Sequence, residues 1–149
     1  ADHFGVRALR DVSRALFEQR AGELADAPRR RARHVISENQ RTQEAADAMQ
    51  RGDAVHLGRL MNESHDSLRY DFEVTNRELN LMVDLARSQP GCLGARMTGA
   101  GFGGCAVALV KREAAVAFSS AVADAYARAS GLATAIYVTP AMAGASVER

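Results

Sequence analysis

The segment best suited to chemistry is Met97-Thr98-Gly99-Ala100-Gly101-Phe102-Gly103-Gly104-Cys105, because it can act through backbone alone. Four glycines fall within six positions, between two runs of strand character: Ala95-Arg96-Met97-Thr98 before and Cys105-Ala106-Val107-Ala108-Leu109-Val110 after. Glycine loses more conformational entropy on folding than any other residue. A cluster of it therefore needs a reason, either positive φ angles or close approach of backbone to something bulky. Backbone N–H groups turned the same way make an anion-binding nest, which holds phosphate without side chains. A glycine-rich turn with no ligand is the plain alternative.

Gly99, Gly101 and Gly104 match Gly-x-Gly-x-x-Gly, and context chooses among its uses. A dinucleotide-binding loop leads from strand to helix, with an acidic residue about 20 positions later at a strand end. Here the glycines lead into an apolar, strand-like run, and Asp124 falls inside a helical pattern. A Walker loop needs Gly-Lys-Ser/Thr, but the only lysine is Lys111, beyond the second strand. The catalytic and metal-binding stretches of protein kinases are absent. An RNA-recognition strand would want a basic residue at Ala100 and aromatics at Gly104 and Val107. A glycine hairpin near phosphate survives.

Two arginines stand near enough to matter. Arg96 beside the hairpin and Arg69 between Leu68 and Tyr70 suit either phosphate or a structural carboxylate. His34, His56 and His65 have no metal-ligand spacing on one helix face, and His65 with Asp66 or Asp71 reads as a surface or capping histidine before an acid–base pair. The run Arg29-Arg30-Arg31-Ala32-Arg33 reads as a solvated first helical turn. No aromatic or further basic cluster supports nucleic acid, and the net charge is +1. No Asp or Glu stands out as a catalytic base.

The elements that must position the hairpin follow from periodicity. Gly5 to Leu9 suggests a short strand or extended entry, and Ser13 caps a helix to about Ala25 that buries Leu16, Phe17 and Leu24. Apolar residues at Ala32, Val35, Ile36, Ala46 and Met49 place a helix over residues 29–51, with Asn39 and Thr42 on the same face. Gly52 stops it and Asp53 caps the next, whose stripe is Leu57, Leu60, Met61, Ser64 and Leu68, so the two form an antiparallel hairpin. Tyr70-Asp71-Phe72-Glu73-Val74 alternates as a strand would, and Thr75 with Glu78 forms a capping box for a helix burying Leu79, Met82, Val83 and Ala86. Residues 112–130 form an alanine-rich helix stopped by Gly131, and Ala135-Ile136-Tyr137-Val138 is a final strand; after Pro140 the tail frays. From residue 71 the order is strand, helix, strand, strand, helix, strand. The fold class is α+β: a ferredoxin-like split βαβ antiparallel sheet over residues 71–140, with an added mainly helical part over residues 1–70.

Composition agrees with one globular domain over residues 1–149, at 47% hydrophobic and 25% charged residues. With only Cys92 and Cys105, both in a glycine-rich region, the chain reads as no disulfide scaffold, and a reducing, cytoplasmic setting is the default. No apolar run approaches the roughly 18–20 residues of a membrane span. The first residues carry neither methionine nor a signal-peptide pattern, which suggests a piece of a longer protein.

Beyond these readings, Ala95–Cys105 resembles the third signature motif of the GHMP small-molecule kinases, in the form found in galactokinases. Ala8-Leu9-Arg10-Asp11-Val12, the run from Arg31 to Asn39, the run from Leu60 to Arg69, and Asp71-Phe72-Glu73-Val74-Thr75 are similar to galactokinase stretches in the same order, with Tyr70 departing from a usual acidic residue. The resemblance implies phosphoryl transfer from ATP to the anomeric hydroxyl of galactose, with Mg²⁺. It implies that this chain is the C-terminal domain. The sugar-binding motif, the serine-rich phosphate loop, the catalytic aspartate and its partner arginine have no counterpart here. Arg96, Met97, Thr98, Gly99, Ala100, Gly101, Phe102, Gly103 and Gly104 would then close the cleft over ATP, with Ser64 and Arg69 as candidate supports. No catalytic or metal-binding residue is assigned to the chain. Galactose, ATP and the missing N-terminal domain are the implied partners, without nucleic acid or membrane, and the isolated piece is expected to be inactive and to self-associate. A related sugar as substrate, and a stand-alone ferredoxin-like module sensing a small ligand, are the alternatives.

Overall fold

In the computed structural model, which describes residues 1–142, five α-helices surround one antiparallel strand pair. The entry is not a strand: Asp2–Phe4 and Leu9–Asp11 are 3-10 turns, because Gly5 takes a left-handed conformation and the Asp11 carboxylate accepts the Ala8 N–H. α1 (Arg14–Arg20) is capped by the Ser13 side chain and tightens into a 3-10 turn at Ala21–Glu23. α2 (Asp26–Gln50) starts three residues earlier than its apolar spacing suggests. Phe4, Val12 and Phe17 pack on Ala32 and Ile36 of α2, forming a core of their own.

After Gly52, the Asp53 side chain accepts the His56 N–H and opens α3 (Ala54–Ser67), so α2 and α3 form the expected hairpin. The strand expected at 70–74 does not form. Instead α3 widens into a π-turn, Leu68–Phe72, closed by Glu73 in the left-handed region. The alternating acidic residues there answer to α2, not to a sheet. Arg33 pairs with Asp71 at 3.0 Å, Arg30 and Arg31 both bind the Glu73 carboxylate, and Arg30 also donates to Tyr70 O at 3.0 Å. The arginine run is thus a clamp rather than a solvated turn, and the two arginines hold the Glu73 carboxyl below its ordinary pKa.

α4 (Arg77–Arg87) is capped by Asn76 in place of the expected Thr75 box, its Oδ1 accepting the Leu79 N–H at 2.9 Å. β1 (Cys92–Thr98) and β2 (Cys105–Val110) pair antiparallel, with Ala95 opposite Ala108 and Met97 opposite Ala106. One face of the pair packs Ala95, Ala106 and Ala108 on Val83 and Ala86 of α4 and on Phe118 and Val122 of α5 (Ala115–Ser130). Gly131, with φ 74°, ends α5 as expected.

The last expected strand, 135–138, is also absent. Ile136 alone reaches the core, and Tyr137 is 88% exposed. The outer edge of β1 is taken by side chains of α3 and α4. The fold is therefore α+β with a two-stranded sheet among the described residues, in place of four strands. Of the tail expected to fray, residues from 143 onward lie outside the described residues.

α3 lies directly on β1 because two glycines meet. A Cβ on Gly94 would fall 2.0 Å from Gly58 O, and one on Gly58 would fall 2.2 Å from Leu93 O. Gly94→Ala should therefore lower unfolding free energy by about 3 kcal/mol, the upper range for overpacking. Gly22→Ala, with nothing within 4 Å of the new Cβ, should stay within about 0.5 kcal/mol of wild type. Urea denaturation of both variants checks the contrast.

Candidate functional site

The hairpin between β1 and β2 is a run of left-handed backbone. Gly99, Gly101, Gly103 and Gly104 have φ of 90°, 88°, 144° and 104°, and Phe102 between them has φ 59°. Side chains would strain each glycine position by about 1–3 kcal/mol. The glycine content thus follows from the path of the chain.

Gly101 carries a second constraint. The hairpin folds back onto the segment after the π-turn, where the Phe102 N–H donates to Val74 O at 2.7 Å. A Cβ on Gly101 would lie 2.2 Å from that same oxygen. The Phe102 side chain points away and is 72% exposed. Asn76, which caps α4, brings Nδ2 to 4.0 Å from the position a Gly103 Cβ would take. The loop therefore sits against the N-terminal end of α4, a local environment that favours negative charge.

Arg96 is half-buried at the root of the hairpin. Its Nε donates to Met97 O at 3.0 Å, and no carboxylate pairs with it among the described residues. Burial moves its pKa below the ordinary guanidinium value, yet a guanidinium stays charged. An unpaired, partly desolvated cation beside a glycine loop suits a phosphate oxygen better than it suits open water.

Other expected site residues lie elsewhere. Ser64 is buried between α2 and α3, where its hydroxyl donates to Glu38 Oε2 at 2.6 Å. Arg69 pairs with Asp84 at 3.3 Å and stacks over the Tyr70 ring, at the side of a polar groove of about 560 Å³ shared with Thr75, Asn76, Arg77 and Asn80. Asn76 thus borders both groove and loop. Tyr70 itself is exposed, and its carbonyl accepts from Arg30.

His65 is not the surface or capping residue its sequence setting suggests. It is fully buried (0% exposed), and its Nδ1 accepts the Met97 N–H at 3.2 Å. Asp66 is taken by Arg87 at 2.8 Å, so no His65–Asp66 pair forms. Asn62, one turn earlier, accepts the Ala95 N–H at 2.9 Å, and Arg87 donates to Ala95 O at 3.1 Å. Sequence reading missed Asn62, Arg87 and Val74. Their only signal was the i, i+3 spacing of Asn62 and His65 on the stripe side of α3, which ordinary helical polarity hides. Among the described residues no three His, Cys, Asp or Glu side chains gather to hold a metal ion, and no helix is long and apolar enough to cross a membrane.

The fold is an α+β domain whose strand pair is joined by a left-handed glycine hairpin docked on the segment before α4. Residues 45–128 match the family model described as GHMP kinases C terminal, and the chain belongs to that family. It is 48% identical to the galactokinase of Roseiflexus sp. (strain RS-1) over 94% of this chain and 36% of that protein, and 48% identical to that of Pasteurella multocida (strain Pm70) over 99% and 39%. The crystal structure of Lactococcus lactis galactokinase complexed with galactose superposes with a TM-score of 0.82 at 41% identity, covering 86% of this chain and 33% of that one. L. major mevalonate kinase in complex with R-mevalonate gives 0.54 at 27% identity, over 86% and 36%. The chain thus spans less than two-fifths of the length of these relatives.

The docking of the hairpin can be tested apart from any activity. Gly101→Ala should detach the loop from Val74, and exchange of the Phe102 amide should speed up by about tenfold or more, the equivalent of roughly 1.4 kcal/mol. Gly99→Ala, equally left-handed but with nothing within 4 Å, should leave that amide protected. Hydrogen exchange followed by NMR reads both.

Proposed function

We propose that this chain is the C-terminal domain of a galactokinase, an ATP-dependent sugar kinase that transfers the γ-phosphoryl group to the anomeric hydroxyl of galactose. The observation that carries the reading is likeness along nearly the whole chain to galactokinases, 48% identical over 94–99% of it. The hairpin geometry supplies the physical reason. In the transfer, the bond from the γ-phosphorus to the ADP oxygen breaks as the bond to the sugar oxygen forms. The hydroxyl proton leaves to a base that this chain does not contribute.

Phosphoryl transfer depends on positioning and on charge stabilisation more than on covalent chemistry by the protein. The loop of residues 99–104 would bring backbone N–H groups to the phosphates, and Arg96 a charge that needs no reorganisation. Arg69 and Ser64 act at a distance, by holding the π-turn against α4 and α3 against α2. Mg²⁺ accompanies ATP in this reading. The residues described here bring no ligand set together for it, so no step is assigned to it through this chain. The same reading places the protein in the cytoplasm, with galactose, ATP and an N-terminal domain as partners.

The isolated chain should show no galactose-dependent ADP release in a coupled assay. Turnover of an ordinary kinase size, about 1–100 s⁻¹, from this chain alone would overturn the division of labour. In the two-domain protein, Arg96→Gln should lower kcat/KM for ATP by about tenfold to a hundredfold, with folding intact by melting temperature. Equal activity of wild type and variant would remove Arg96 from the site. The isolated chain should also self-associate, since Val107, Val116, Tyr137 and Val138 are each exposed. A monomer in light scattering at high concentration would count against that.

A further inference from the structure

The hairpin is held at two points, and both hang from one continuous segment. At its root, the Met97 N–H is accepted by His65 Nδ1 on α3. At its tip, the Phe102 N–H is accepted by Val74 O, and Val74 N–H in turn donates to Leu68 O at 3.1 Å in the π-turn that continues α3. His65 and Leu68 are one helical turn apart, so the helix sets the distance between root and tip. We propose that His65 is a positioning residue for the phosphoryl-transfer site, its neutral imidazole fixing the root of the glycine hairpin through the Met97 N–H; this rests on the kinase reading above.

The chemistry of the contact is specific. Nδ1 accepts, so the ring proton sits on Nε2, which is buried without a hydrogen-bond partner among the described residues. A protonated Nδ1 would set one donor against another, because the Met97 N–H cannot turn away while Ala95 remains tied to Asn62 and Arg87. The imidazole is faced by Asp66 on its own helix, by Arg87 and Asp84 on α4, and by Arg69 on the π-turn. The acidic and basic neighbours oppose each other, and burial, the largest influence, holds the pKa below the ordinary imidazole value. The unfolded chain takes up this proton near pH 6.5, whereas the native state resists it. Stability is therefore kept above that pH and lost as pH falls from about 6.5 toward the lower native value, and the hairpin root itself is released only as pH falls through that native value. His34, buried and also lowered mainly by desolvation, contributes stability of the same sign. It lies at the α2 contact with Ser67 and Phe72, where Arg96 at the hairpin root is among the charges acting on it, but it makes no hydrogen bond to the hairpin.

The test compares His65→Asn and His65→Leu in the two-domain enzyme. Asn can place its side-chain oxygen near the position of Nδ1 and does not titrate; Leu offers no acceptor. His65→Leu should lower kcat/KM for ATP by about tenfold to a hundredfold, the scale of a misplacement near 1 Å, and should unmask the Met97 amide to hydrogen exchange. His65→Asn should restore both relative to Leu, and should remove the part of the decline in kcat/KM below about pH 6.5 that belongs to this imidazole. A Leu variant with wild-type kcat/KM and a protected Met97 amide overturns the proposal. If the Leu variant does not fold, the Asn variant decides alone: an acid limb identical to wild type overturns it, and a flattened limb supports it. If wild type phosphorylates no galactose, the kinase reading fails, and with it the catalytic meaning of His65. The Met97 amide still reports whether the anchor exists, so the two failures are told apart.

Discussion

Everything in this domain is arranged around the seam where α3 lies against β1. An edge strand exposes a row of backbone donors and acceptors that must find partners. Here the partners are side chains of Asn62 and His65 on α3 and Arg87 on α4. That solution requires helix and strand backbones closer than side chains normally permit. Gly58 and Gly94 make room for it, each presenting hydrogen where a methyl group would meet a backbone oxygen. Arg87 closes the seam, since it also donates to Asn62 O at 2.7 Å and pairs with Asp66.

The same helix then carries the rest of the site. Where α3 widens at Leu68–Phe72, its last carbonyls would be left without donors. Arg30 and Arg31, from the start of α2, supply them at Tyr70 and Asp71 and hold Glu73 as well. Individually, exposed ion pairs of this kind contribute little. Their role is geometric: they hold Val74 where the hairpin tip can dock. The π-turn, α2 and the glycine loop are thus one mechanical unit, although Arg31 and Phe102 lie 71 residues apart in sequence.

The path of the hairpin is set by its left-handed glycines, and Arg96 stands at its root without a carboxylate partner among the described residues. A loop this strained would be floppy if it were held only at its strand ends. Root and tip hydrogen bonds fix it at both ends instead.

Much of this was legible in the amino-acid order. The five helices, the two strands, the Asp53 and Ser13 caps, the Gly131 stop and the glycine hairpin follow from local rules of spacing, capping and φ preference, which act within a few residues. Family membership was legible too, because the residues of the loop are constrained by their own backbone. What local rules could not show was where partners come from. The alternation at 70–74 is the same whether its carboxylates point from a sheet or reach arginines on α2. The run at 135–138 reads as a strand whether or not an edge is free to receive it. His65 looked like a surface residue because polarity on one helix cannot reveal a strand packed across it. Only the tertiary structure decided these points: the Asp71 carboxylate and His65 have hydrogen-bond partners more than 30 residues away, and 135–138 pairs with no strand among the described residues.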